Sequence, residues 1–131
     1  MEFSITDKGE KILKISDKTI TELPEIKYID ILNCRDCTSL TAIPNIEGLK
    51  ILDCSGCTSL TSIPNIEGLK ELDCSYCILL TFIPIIKGLK ELNCVGCTSL
   101  TSIPIIEGLE TLGVGWTSLT SIPIIKGLEI L

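Results

Sequence analysis

Histidine is absent from the 131 residues, and aromatic side chains make up only 4% of them: one Trp, two Tyr and two Phe. Without an imidazole, neither a Ser-His nor a Cys-His nucleophile pair can be assembled, so most covalent hydrolase chemistry is excluded and no enzymatic activity is expected. Long apolar runs are missing as well. Hydrophobic residues reach 45%, yet no stretch approaches the roughly eighteen that a membrane span requires, and no membrane partner is expected. Cations are scarce, with 11 Lys plus Arg against 17 Asp plus Glu and a net charge of −6. Phosphate backbones are held by clustered cations, so nucleic acid is not an expected partner. The opening residues, MEFSITDKGEKILKIS, carry no basic start followed by an apolar core. The expectation is therefore a cytoplasmic protein without a secretory signal.

What the chain has instead is a period. Residues 49–68 read LKILDCSGCTSLTSIPNIEG, residues 69–88 read LKELDCSYCILLTFIPIIKG, and residues 89–108 read LKELNCVGCTSLTSIPIIEG. A unit of this length cannot bury its own apolar face, so the units must stack into a solenoid with one continuous core. Within the unit the apolar positions are Leu49, Leu52, Cys54, Cys57, Leu60, Ile63 and Ile66. The L-x-x-L-x-C segment predicts a short strand, stacked in parallel on its neighbours, with six strands centred on residues such as Leu32, Leu52, Leu72, Leu92 and Leu112. After it, Ile-Pro recurs at 43–44, 63–64, 83–84, 103–104 and 122–123. Pro lacks a donor and biases the residue before it to extended geometry, so the return side is expected to lack real helices.

The spacing L-x-x-L-x-C-x-x-C-x-x-L resembles the leucine-rich repeat, in a cysteine-containing variant with one extra residue before the last Leu. It is similar to the short repeats of bacterial effectors, of plant immune receptors and of proteins of some large amoeba-infecting viruses. The resemblance implies an α/β horseshoe-type, right-handed solenoid with its parallel sheet on the concave face and an extended or 3-10 convex side. It also implies protein recognition through the concave face, and host-cell cytoplasm if the source is a pathogen or a virus.

A single domain spanning 1–131 is expected. Residues 1–27 form a hairpin cap and an atypical first repeat, 28–127 hold the regular repeats, and 128–131 begin a truncated one. Glu2–Thr6 and Lys11–Ser16 alternate apolar and polar residues around Asp7-Lys8-Gly9-Glu10, a hairpin signal. Phe3 and Ile5 are read as covering the end of the stack. The unit starting at Leu109 loses both cysteines, carrying Val114 and Thr117 in their places, and is one residue shorter. The chain stops at Leu131 in mid-strand, either as a piece of a longer array or with an edge open to another molecule.

Four C-x-x-C pairs stand in register: Cys34 and Cys37, Cys54 and Cys57, Cys74 and Cys77, Cys94 and Cys97. By spacing alone they fall within a four-cysteine zinc pattern. Each pair, however, sits at core positions of the repeat, where Val114 and Ile15 substitute for the first Cys. Structural, reduced cysteines are the preferred reading, with no metal or other cofactor.

The outward strand residues leave a lattice of candidate contacts for a protein partner: Arg35, Lys50, Asp53, Lys70, Glu71, Asp73, Lys90, Glu91 and Asn93. Lysines 50, 70 and 90 are expected to pair laterally with Glu71 and Glu91, for little net stability. Tyr76 and Trp116 occupy equivalent rim positions and read as anchors for a partner or as loop packing. Along the return segment the residue after Pro changes from Asn45 and Asn65 to Ile85, Ile105 and Ile124, a possible apolar stripe. The alternative function is accordingly self-association, as a homo-oligomer through that stripe and the C-terminal edge; a zinc-binding protein is the third reading.

Overall fold

The computed structural model describes all 131 residues, Met1–Leu131. Its strands are short: β1 Glu2–Ile5, β2 Lys11–Lys14, β3 Ile31–Asn33, β4 Ile51–Asp53, β5 Glu71–Asp73, β6 Glu91–Asn93, β7 Thr111–Gly113 and β8 Glu129–Ile130. They form one sheet in sequence order. Residues twenty apart are direct partners, with Leu32, Leu52, Leu72, Leu92 and Leu112 in a single row. Pairing is parallel from β2 to β8, seven strands rather than six, because β2 and the short β8 extend the row at its two ends. The ladder also outruns the strands: the Cys34 N–H donates to Asp53 O at 2.9 Å and the Asp36 N–H to Ser55 O at 2.8 Å.

Three turns bend each of the third to fifth repeats back on itself. In the third repeat the N–H groups of Leu49, Cys57 and Leu60 donate to the carbonyls of Ile46, Cys54 and Cys57 at 3.2, 3.2 and 3.1 Å. The first two turns hold their third residue at positive φ, +83° at Gly48 and +72° at Gly56, the condition of a type II turn. From Leu60 onward only every third residue is buried, Leu60, Ile63 and Ile66. That is the period of a polyproline II helix, which suits the Pro between them.

The protein is therefore an all-β parallel solenoid of about six turns. It has neither α-helix nor 3-10 turn, and the α/β horseshoe expectation is corrected on this point. The physical reason is the Pro in each return segment, together with a core stripe of period three that a 3.6-residue helix would rotate out of register. No helix is long and apolar enough to cross a membrane.

Thirty-three buried apolar residues form one core running the length of the stack. Each fully buried Leu or Ile contributes on the order of 1.5–3 kcal/mol, which compensates for strands too short to hold together alone. At the N-terminal end the hairpin exists, with β1 antiparallel to β2 and Phe3 opposite Leu13. Phe3 and Ile5 nonetheless remain exposed, contrary to their expected role as a lid. β1 adds a strand to the sheet but has no return segment behind it, so its side chains have no core to enter.

All eight cysteines are free and buried. The second of each pair donates its thiol to a carbonyl one repeat earlier: Cys37 to Ile15 O at 3.5 Å, Cys57 to Cys34 O at 3.2 Å, Cys77 to Cys54 O at 3.3 Å, Cys97 to Cys74 O at 3.0 Å. The first column also reaches across repeats in places, Cys74 donating to Asn93 O at 3.5 Å and Cys94 to Gly113 O at 3.1 Å, while Cys34 and Cys54 chiefly fill volume. Cys54→Val is accordingly expected to cost no more than ~1.5 kcal/mol, being a nearly volume-conserving apolar swap. Cys57→Ala, which loses both volume and the thiol donor, should cost about 2 kcal/mol or more. Urea unfolding of the two variants checks the order.

Candidate functional site

Two columns of side chains point outward from the sheet. One runs Ile51, Glu71, Glu91, Thr111, and the other Asp53, Asp73, Asn93, Gly113. With Val95 and Leu131 they line a groove of about 400 Å³ across β4 to β7. Four of the lining residues are acidic, and the nearest cation is Arg35, whose Nε lies 3.7 Å from Asp53 Oδ2. Glu71 and Glu91 are direct cross-strand partners. Burial, then the Glu91 charge and the more distant Glu10, raise the Glu71 carboxyl above its ordinary value.

The second column has a structural role that the residue pattern did not reveal. Asp53 Oδ1 accepts from the Ser55 N–H at 3.1 Å and from Ser55 Oγ at 2.7 Å, and Asp73 does the same with Ser75 at 3.0 and 2.7 Å. Asn33 and Asn93 accept from the Arg35 and Val95 N–H groups at 3.2 and 3.1 Å. Each side chain bonds the backbone two residues on, steering the chain out of the strand into its turn. One carboxylate oxygen of Asp53 and of Asp73 is thus committed to the fold. The Asp or Asn that closes each of β3 to β6, followed two residues on by Ser55 and Ser75 after the two aspartates, was the available signal.

The lysines correct a second expectation. Neither ion pair in the structure, Lys27 with Glu25 or Arg35 with Asp53, involves Lys50, Lys70 or Lys90. Their ammonium groups lie instead against Gly68, Gly88 and Gly108, with Lys90 Nζ 3.5 Å from Gly108 O. They flank the N-terminal ends of the strands and leave the groove acidic. Tyr76 and Trp116 sit beyond the C-terminal ends, both at positive φ and both exposed. The Tyr76 ring lies over Gly96. Ile85, Ile105 and Ile124 are exposed at 60%, 60% and 96%, on the return wall rather than the sheet.

The structure thus brings Arg35, Asp53, Glu71, Asp73, Glu91 and Asn93 onto one face. It places the lysines, the two aromatics and the three isoleucines elsewhere. Thr111 and Gly113 complete the groove without having been singled out, because their repeat departs from the consensus at the strand, and Leu131 joins them from the segment after it.

All eight thiols are enclosed in the core, and their acidities split: hydrogen bonding with Cys34 and Cys74 holds Cys57 and Cys97 below the ordinary thiol value. Burial pushes Cys94 up to about 12. Cys34, Cys54 and Cys74 are raised by hydrogen bonds to Cys57, Cys77 and Cys97 and then by burial. No three Cys, Asp or Glu side chains are grouped as metal ligands.

No protein-family model, curated protein or solved structure matches this chain.

Two measurements test this electrostatic picture. Asp53→Asn keeps the acceptor that Asn33 and Asn93 already supply and should be close to neutral, whereas Asp53→Ala strands the Ser55 donors and should cost about 1 kcal/mol in denaturant unfolding. Glu71 has a folded-state value above its unfolded one, so ionisation disfavours the fold and stability falls as pH rises past the ordinary value of 4.5. Glu71→Gln should therefore raise the melting temperature at pH 7, with the gain disappearing below that value.

Proposed function

We propose that the protein is a recognition module that binds a protein partner along the outward face of its sheet, in the manner expected of a leucine-rich repeat solenoid. The observation that supports this reading best is the groove across β4 to β7, where Glu71 and Glu91 stand side by side with no cation against them. Opposed like charges on adjacent strands are destabilising, and a cationic side chain laid between them relieves that repulsion. The partner that fits is an extended segment bearing Lys or Arg, with Ile51 and Thr111 at the two ends of the acidic pair as uncharged flanks. A catalytic reading finds less support, since Asp53 and Asp73 are engaged with their serines and the thiols are enclosed.

Selection from an unbiased peptide library on the immobilised protein tests the proposal. The expected outcome is a consensus containing Lys or Arg whose affinity falls about tenfold or more in the Glu71→Gln, Glu91→Gln double variant, and falls as salt rises. Uncharged ligands that ignore the double variant would move the binding face elsewhere.

A further inference from the structure

The burial period of three along the return segment has a second consequence in the fourth repeat. Leu80, Ile83 and Ile86 are buried there, so residues 79, 82 and 85 form a row along one outer side. In the third repeat that row is Ser59, Ser62, Asn65 and in the fifth it is Ser99, Ser102, Ile105. In the fourth it is Leu79, Phe82, Ile85, with Ile78 beside it where the neighbours carry Thr58 and Thr98. These four are exposed at 48%, 53%, 60% and 41% in that order.

None of them belongs to the core or packs against it. Ser59, Ser99 and Ser118 each donate a hydroxyl hydrogen bond to the repeat before, to Thr38 O at 2.7 Å, Ile78 O at 2.6 Å and Thr98 O at 2.5 Å. Leu79 interrupts that series, leaving the step from the third to the fourth repeat without its hydroxyl link. One repeat has given up a stabilising contact to present a contiguous apolar surface, the kind of patch that marks an interaction site.

We propose that this wall of the fourth repeat is the contact surface of a homodimer, packed against its own equivalent about a two-fold axis. Charge is the first argument for a second copy as the occupant. Segments 38–46, 58–66, 78–86, 98–106 and 117–125 contain no charged residue, although the chain carries −6. Across this wall two equally charged molecules meet without opposing like charges. The second is periodicity. The wall repeats at the strand spacing of ~4.8 Å, and a copy running antiparallel presents the same spacing, so the Phe82 rows lie alongside each other with the serine-bearing repeats outside them. The third is area. At ~200 Å² for a whole side chain of this size, the four exposed fractions amount to about 400 Å². That is on the order of the apolar half of the ~800 Å² per partner buried in a standard interface. The contact is isologous and therefore closes at two copies. It leaves the acidic groove free.

Sedimentation velocity of the full chain across a wide concentration range tests the proposal. The wild type should form a dimer with Kd at or below ~10 µM. The variant Ile78→Thr, Leu79→Ser, Phe82→Ser takes the residues that the third and fifth repeats use at the same places, and should be monomeric at every concentration, with Kd raised 100-fold or more. Its melting temperature at low concentration should not fall, because Leu79→Ser restores the missing donor to Thr58 O. Leu79→Ser alone should weaken the dimer about tenfold, and serves as the reading if the triple variant does not fold. Glu71→Gln, Glu91→Gln should leave the dimer intact, which separates this surface from the groove. A monomeric wild type, or a dimer that survives both wall variants, overturns the proposal.

Discussion

The in-register ladder governs everything else in this molecule. Because each residue from β3 to β6 is paired with the one twenty positions later, most side chains there must tolerate a near-copy of themselves about 4.8 Å away. Leu, Ile and Cys meet that condition by packing, which is why the core is built from rows of them. Charged residues do not. Asp53 above Asp73 is made tolerable by the serine hydroxyl and backbone N–H that each carboxylate accepts, and by Asn at the same place in the flanking repeats. The lysines avoid one another by lying forward onto the glycine that closes their own repeat. Only the glutamate pair is left without such relief.

The same constraint explains an alternation at the turn after each strand. Asp36, Gly56, Tyr76, Gly96 and Trp116 all have positive φ, a conformation that costs a non-glycine residue on the order of 1–2 kcal/mol. The side chains of Asp36 and Tyr76 occupy the space that a Cβ at Gly56 or Gly96 would need. Two consecutive side chains in this column would collide, so Asp36 and Tyr76 are each followed by glycine. The ladder of Asp36, Gly56, Tyr76 and Gly96 N–H groups to the next repeat holds the strained residues in place.

The residues that set the ladder could be read directly, because period and apolar spacing are both local in sequence. Strand centres, the buried Leu and Ile positions and the burial of every cysteine follow from them. What could not be read depends on where a flexible or polar side chain goes once the stack exists. Lys70 has Glu71 next to it in sequence and Gly88 near its ammonium group in space, and only the fold's cross-section chooses between them. Asp73 looked like a surface acid because its partner, the backbone of Ser75, leaves no mark in composition. Phe3 looked like a lid because alternation predicts the strand correctly but says nothing of whether a second layer lies behind it. For the candidate site, the acidic face was legible in outline, whereas the removal of the lysines from it was not.

A repeat also supplies its own standard for judging departures, and the departures here fall into two kinds. Val114, Thr117 and Gly113 in the sixth repeat replace Cys, Cys and Asx, yet each remains compatible with the cross-section: Gly113 stays in register opposite Asn93 with its carbonyl accepting from the Cys94 N–H, and Thr117 redirects its hydroxyl to Val114 O at 2.8 Å. Those changes are variations that stacking permits. Ile78, Leu79 and Phe82 are of the other kind, for they place apolar groups outward where stacking requires nothing and, at Leu79, give up a hydrogen bond that stacking uses elsewhere. A change that the ladder neither demands nor benefits from has its explanation outside the ladder, in what the surface meets.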